Sequence, residues 1–471
     1  MKHNIGVKPG ETVYGKNGNG YHLGSVIGSG SQGVVFEETS GQYVVKMYYP
    51  AENQILNDAA LERITYLKGI ELPPNFVSII DVITKPCVGY VMERVTGYKP
   101  LNKYLIQPDD MDFSTWYNSG YGFRERLFIG YIIAKAFSEM ESNNLSYCDI
   151  SGNNILTKVA RGVAVKMIDI DNIYVAGNGN AGVIGTPRYI APEVIDRTHN
   201  PDIISDNYSL AVILFELLRM GHPYVSDDVL DGTPEDEEKA LAGKMDYVDE
   251  NNSSNMLPED VVFTGKMKEL FKRCFVDGKV NRMMRPSAKE YYYAFLDASN
   301  KIIKCPNCGA WHYPRREKAG YLPCPWCDGE SKPNARINFY DVLYESEGKK
   351  TKVVSRTLKN SYIIRDREKN FIKNYYLYGM DTTDNRYKLS SNYITIAKNE
   401  KGYYLYNEFK KDGISVKRAS NHKHETIDPG KYILLESGDE IYFVLAKNGA
   451  IPITMNGKRY SFLKMARFME E

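Results

Sequence analysis

Net charge is what this sequence has least of: 60 basic residues stand against 59 acidic ones, leaving +1 over 471 residues. Such a balance gives no electrostatic footprint for a nucleic-acid or anionic-membrane partner. Long apolar runs are missing too. The longest, SLAVILFELL at 209–218, falls well short of the ~20 residues a bilayer span needs and reads as a buried helix. The opening stretch MKHNIGVKPGETVYG holds no apolar core of the kind a signal peptide carries. Of seven cysteines, three (Cys87, Cys148 and Cys274) are scattered singly. That argues against a disulfide framework and for a reducing, cytoplasmic setting. Disorder is excluded by composition, since 43% of residues are apolar and 25% charged.

What is present falls into zones. After an N-terminal extension (1–19), alternating Gly- and Val-rich segments (LGSVIGSGSQGVVFEE, QYVVKMYY, VGYVMERV) read as strands joined by tight turns. One helical stretch, ENQILNDAALERITYLKGI, interrupts them. From 120 to 298 the periodicity is mostly helical, as in FRERLFIGYIIAKAFSEMESNN and KMKELFKRCF. Strands followed by helices predict an α+β region over 20–298, with a small sheet lobe on a larger helical lobe. Four cysteines cluster in 299–330. From 331 to 471, Tyr-rich alternating segments such as NYITIAKNEKGYYLYNEF predict an all-β module.

The chemistry-bearing residues begin with Gly28, Gly30 and Gly33 in GSGSQGVV. Alone they are equally consistent with a plain hairpin. They lie between two strand-like segments rather than before a helix, which disfavours a dinucleotide fold. Val35 follows closely, and Lys46 ends the strand YVVK. Further on, YCDISGNN (147–154) sets Asp149 and Asn154 five positions apart. VKMIDID carries Asp169, and GTPRYIAPE (185–193) carries Thr186 and Glu193. SDNYSLAVILFELL supplies Asp206, and MMRPSA supplies Arg285.

In order and spacing, these motifs resemble a eukaryotic-like (Hanks-type) Ser/Thr protein kinase of a bacterial type. The resemblance covers about 20–298 and implies a bilobal kinase fold using ATP and Mg²⁺ (or Mn²⁺). It implies that backbone amides of the glycine loop cover the phosphates, that Lys46 binds them, and that Glu62 on the first helix orients Lys46. Glu93 and Val95 would offer backbone groups to adenine. Asn154 and Asp169 would hold the metal, Asp149 would be the catalytic base, and Thr186 would contact Asp149. The Glu of A-P-E, Glu193, would pair with Arg285. Taken in isolation, Glu62 would be read as one more solvated helix charge.

Three departures stand out. Tyr147 and Cys148 replace the family's His and Arg, Ser151 replaces its Lys, and Asp169-Ile170-Asp171 replaces D-F-G. Cys148 cannot make the charge-assisted hydrogen bonds that read an activation-segment phosphate. The expectation is therefore an active protein kinase of non-RD type, not controlled by phosphorylation of that segment. The alternative is a nucleotide-binding pseudokinase scaffold in a signalling complex.

CPNCGAWHYPRREKAGYLPCPWC places Cys305, Cys308, Cys324 and Cys327 in a CxxC-x15-CxxC pattern. Two such turns can present four thiolates to one structural Zn²⁺, and His312 is not needed as a ligand. Some bacterial kinase-like proteins carry a similar zinc knuckle after the kinase lobe. That resemblance implies a metal-dependent phosphatase and a von Willebrand A-type protein as partners, besides a protein substrate. The β-rich end loosely resembles a forkhead-associated β-sandwich, over about 350–450. Gly379-Met380 and Ser390-Ser391-Asn392-Tyr393 stand where that family keeps its phosphate-binding arginines. Loss of phosphothreonine reading is expected, unless Arg365 or Arg386 has taken over the role. An unrelated sandwich used for protein contacts is equally consistent.

Overall fold

A computed structural model describes residues 5–30, 32–50, 54–118, 122–175, 185–347, 350–373, 376, 392–408, 413–443, 451–455 and 458–471. The chain forms two compact units that divide between Leu296 and Asp297.

The first unit opens with six strands: β1 (Thr12–Tyr14), β2 (Gly20–Ser29), β3 (Gly33–Glu38), β4 (Tyr43–Tyr48), β5 (Ile79–Ile83) and β6 (Gly89–Glu93). They form one antiparallel sheet in the order β1-β2-β3-β4-β6-β5. The stretch expected as an N-terminal extension supplies its edge strand. Ile5 and Val13 sit in the same hydrophobic core as Leu23, Phe36, Val45 and Val91. Strand β4 is buried along nearly its whole length, as the unbroken apolar run around Lys46 suggests.

Helix α1 (Gln54–Lys68) buries only Ile64 and Leu67. Helices α2 (Phe113–Asn118) and α3 (Phe123–Ser142) follow. Along α3 the buried residues Phe123, Leu127, Gly130, Ala134, Phe137 and Met140 recur at three- and four-residue intervals, one face of a helix. The apolar run at 209–218 lies in a helix, Ile203–Arg219, in which every residue from Ser205 onward is buried. Its start is set by a capping box: the Asp202 carboxylate accepts from the Ser205 N–H, and Ser205 Oγ accepts from the Asp202 N–H. A hairpin of Ile155–Val159 and Val163–Met167 carries the chain to Asp169. The Met167 N–H donates to Asn75 O at 2.7 Å and Met167 O accepts from Val77 N at 3.0 Å, which fixes the exit of that hairpin.

In the second unit, the cysteine segment and the β-rich part pack together. Arg365 donates to Ser299 O at 2.6 Å and lies over the Trp311 ring at 5.6 Å. Among the described residues beyond it, a seven-stranded sheet and a four-stranded sheet form, both antiparallel. The long strands Ala335–Glu347, Lys350–Ile364 and Lys458–Glu470 dominate the larger one. Tyr393 of the smaller sheet meets Phe443 of the larger at 5.2 Å, and Tyr403 meets Phe468 at 5.2 Å. The expected all-β module is therefore a two-sheet sandwich. The positions singled out for phosphate reading, Gly379, Met380, Arg386, Ser390 and Ser391, lie outside the described residues.

Candidate active site and metal centre

The 147–154 loop is held from below by a buried carboxylate. Asp206, on the helix Ile203–Arg219, accepts hydrogen bonds from Tyr147 N (2.6 Å), Cys148 N (2.9 Å) and Ser146 Oγ (2.8 Å). Burial pushes its pKa up to about 7, against those three donors. Tyr147, fully buried, donates its hydroxyl to Ile168 O and packs on Phe76 and Phe137. It ties this loop to the residue before Asp169. Cys148 is buried with positive φ, and its sulfur lies 3.3 Å from Ser146 Oγ.

Above this base the catalytic candidates converge. Thr186 Oγ1 donates to Asp149 Oδ1 at 2.9 Å. Asn154 Nδ2 donates to Asp149 Oδ2 at 3.1 Å and to Asp149 O at 2.9 Å. Thr186 follows Gly185, whose φ of +95° requires glycine. Asp149, Asn154, Asp169, Thr186 and Lys46 all line one cavity of about 1030 Å³. Gly28, Gly30, Gly33 and Val35 line it on the sheet side, with Met92, Glu93 and Val95 at its inner wall. A Cβ on Gly33 would fall 2.2 Å from Met47 O, so the sheet itself demands glycine there. A Cβ on Gly30 would meet nothing within 4 Å. That opening leaves room for a ligand to approach the backbone.

Glu62 is not part of this site. Its side chain is exposed, while Ile64 and Leu67 turn the opposite face of α1 inward. Lys46 pairs instead with two carboxylates of the 169–171 loop. Its Nζ contacts Asp169 Oδ1 and lies 3.1 and 3.0 Å from Asp171 Oδ1 and Oδ2. Burial opposes the charge on Lys46, but Asp171 and Asp169 more than offset it and hold its pKa above the usual lysine value. Asp169, in the left-handed region at φ 62°, has its carboxyl raised to about 6 by burial and by Asp171 beside it. For Asp171, burial is outweighed by Lys46 and the Tyr48 hydroxyl, and its pKa is lowered. From the sequence, Asp171 stands out only as a departure from D-F-G. The spacing of Ile64 and Leu67 was the available signal that Glu62 faces away.

Ser151, in the place of the family's Lys, is buried and its Oγ lies 3.4 Å from Asn154 N. It brings no cation to the cavity. Arg285 forms a two-pronged pair with Glu193 at 2.6 and 2.7 Å, bracing the segment that follows Thr186.

In the second unit the four cysteine sulfurs lie within 4.8 Å of one another. Cys305 Sγ is 3.7 Å from Cys327 Sγ, and Cys308 Sγ is 3.8 Å from Cys324 Sγ. A tetrahedral ion with sulfurs at ~2.3 Å requires sulfur–sulfur edges of about 3.8 Å, so the set fits Zn²⁺. Each CxxC is a tight turn: Gly309 N donates to Cys305 O at 3.0 Å, and Asp328 N to Cys324 O at 2.9 Å. His312 takes no part. Its nitrogens lie 2.8 Å from Tyr313 O and 2.9 Å from Ser331 Oγ.

Comparison with known proteins agrees with this geometry. The protein kinase domain model matches residues 21–294, and the chain belongs to that family. A probable serine/threonine-protein kinase, MARK-B of Dictyostelium discoideum, is 25% identical over 287 residues, 59% of this chain and 36% of that protein. The cGMP-dependent protein kinase, isozyme 2 forms cD5/T2, of Drosophila melanogaster is 37% identical over 99 residues, 20% of this chain and 10% of that protein. MAP3K epsilon protein kinase 1 of Brassica napus is 28% identical over 221 residues, 44% of this chain and 16% of that protein. The chain thus spans about a third or less of these relatives' lengths. Among the described residues, no helix is long and apolar enough to cross a membrane.

Proposed function

We propose that the first unit transfers the γ-phosphate of ATP to Ser or Thr of a protein substrate. The observation that carries this reading is the Thr186–Asp149–Asn154 constellation, which faces Lys46 and Asp169 across one cavity. In this reading Asp149 accepts the proton of an acceptor hydroxyl, with Thr186, which donates to Oδ1, fixing its orientation. Lys46 takes the phosphates, and the backbone of Gly28–Gly33 covers them. Asn154 and Asp169 are the residues that would hold Mg²⁺, whose contribution is to bridge the phosphates and neutralise developing charge. Mass spectrometry of the purified protein and a generic protein acceptor, after incubation with ATP and Mg²⁺, tests this. New phosphoserine or phosphothreonine is expected. Nucleotide binding without transfer would favour the pseudokinase scaffold, the reading that buried Ser151 supports.

We further propose that control does not pass through phosphate on the activation segment. Cys148 is buried and offers no cation there, and 172–184 holds no Ser or Thr, its only side-chain hydroxyl being Tyr174. In the second unit, the four sulfurs would hold a structural Zn²⁺, closing the knuckle with no open coordination position. The sandwich is read as forkhead-associated-like, serving protein contacts without phosphothreonine preference. Arg365, a candidate replacement receptor, is already engaged by Ser299 O and Trp311. A phosphatase and a von Willebrand A-type protein remain the partners that the family resemblance suggests.

A further inference from the structure

We infer that Asp171 is the positioning carboxylate of the phosphate-binding lysine, a role the family resemblance assigned to a helix glutamate. The inference rests on the kinase reading of the site. Asp171 is fully buried and does not line the cavity, so it is not placed as a metal or substrate ligand. Both of its oxygens face Lys46 Nζ, at 3.1 and 3.0 Å. The Tyr48 hydroxyl donates to Oδ2, and the Tyr90 hydroxyl lies 3.5 Å from Oδ1. Tyr48 is two residues beyond Lys46 on β4, and Tyr90 on β6 is the cross-strand neighbour of Lys46. The sheet therefore builds a closed pocket around this one carboxylate, with the lysine as its cationic wall.

Helix α1 agrees from the other side. Glu62 points into solvent, whereas Arg63 keeps its Nε buried without a hydrogen-bond partner among the described residues. The positive charge of Arg63 acts on the Tyr48 hydroxyl that Asp171 holds. A cation on this face of α1 is unsuited to orienting Lys46 but complements an anion on the 169–171 loop. Asp169 also contacts Lys46, yet it is the residue a metal would engage. With Asp169 turned to a metal, Asp171 still holds the ammonium toward the phosphates. Orientation of Lys46 is thereby tied to the loop that carries the metal ligand, not to the position of a helix.

The test is a double-mutant cycle between Asp171→Asn and Lys46→Met in the full-length chain. It is read by kcat/KM for ATP and by the ratio of dissociation constants for adenosine and Mg-ATP. Asp171→Asn should lower kcat/KM by about 10- to 100-fold and shrink the affinity ratio. In the Lys46→Met background the same change should cost less than about twofold, because a residue acting through Lys46 has nothing left to act on. A merely structural role would give the same loss in both backgrounds, and that additivity would overturn the inference. So would an unchanged ratio in Asp171→Asn. Asp171→Gly, the residue at this place in D-F-G, substitutes in the cycle if the Asn variant does not fold. Failure of the kinase reading looks different: the parent would bind Mg-ATP without transferring phosphate, and the affinity ratio alone would then decide the role of Asp171.

Discussion

Two clusters in this molecule gather charged or ionisable groups around a small volume, and they do so by opposite routes. The cysteine cluster takes its four sulfurs from two turns within 23 residues of chain, Cys305 to Cys327. The lysine cluster brings Lys46 onto Asp169 and Asp171, across 123 and 125 residues. Local spacing suffices for the first, because a CxxC turn dictates where its two side chains point. The second depends on which face of α1 the core takes and on how β4, β6 and the 169–171 loop meet. The ligand expectation for the cysteines agrees with the sulfur geometry, while the expected Lys46 partner was misplaced.

The largest effect should come from breaking the local cluster. Cys305→Ser or Cys327→Ser should abolish binding of one zinc per chain, measured by elemental analysis. Structural zinc contributes about 10–16 kcal/mol in small metal-folded domains, so 299–330 should lose protection in hydrogen exchange. Retained zinc or unchanged protection would break the comparison from the cysteine side.

On the long-range side, Asp149→Asn should cut phosphate transfer by about 10²–10⁴-fold, the usual contribution of a positioned general base. Nucleotide affinity should stay within about twofold, since the proposed role of Asp149 is toward the acceptor hydroxyl and not the nucleotide. Steady-state rates and calorimetry check the two halves separately. A variant with near-parent turnover would remove Asp149 from the role given to it.

A third prediction concerns what long-range packing does to a single ring. His222 is buried, its Nε2–H donating to Arg188 O at 3.1 Å and its Nδ1 accepting from Tyr224 N at 3.3 Å. Burial, aided by the Arg188 charge, lowers its pKa from 6.5 to about 3. Between those values the unfolded chain binds the extra proton, so this group stabilises the fold fully above pH ~6.5. That stability is lost as pH falls toward about 3, at roughly 1.4 kcal/mol per unit. Urea unfolding at pH 7 and pH 4 should show a gap about 3 kcal/mol smaller in His222→Gln than in the parent. An equal gap would mean the ring is protonated in the native state.

The smallest effect sharpens the comparison most directly. Glu62→Gln should leave kcat/KM within about twofold, as expected for an exposed surface charge. A loss of ten-fold or more in the same assay would return Glu62 to the site and favour the helix over the loop as the source of the Lys46 partner.

Much of the site was legible because kinase-like motifs are short, ordered segments whose residues sit near each other by chain geometry. Asn154 reaches Asp149 within one loop, and Thr186 follows a glycine that the backbone requires. The zinc candidates were legible for the same reason. The reading failed at Glu62 because sequence position along a helix does not by itself give rotation about its axis. Ile64 and Leu67, the buried residues of α1, carry that information.

By itself, then, the sequence determined the order of elements, the glycine-rich turn, the Asp149–Asn154 pair and the four-sulfur cluster. Each follows from local covalent geometry and backbone sterics. Only the tertiary structure decided that strand β1 completes the first sheet, that Asp206 anchors the 147–154 loop from beneath, and that Asp171 embraces Lys46. Those outcomes turn on which faces are buried together. A carboxylate far along the chain becomes a partner only when packing removes the water that would otherwise solvate both charges.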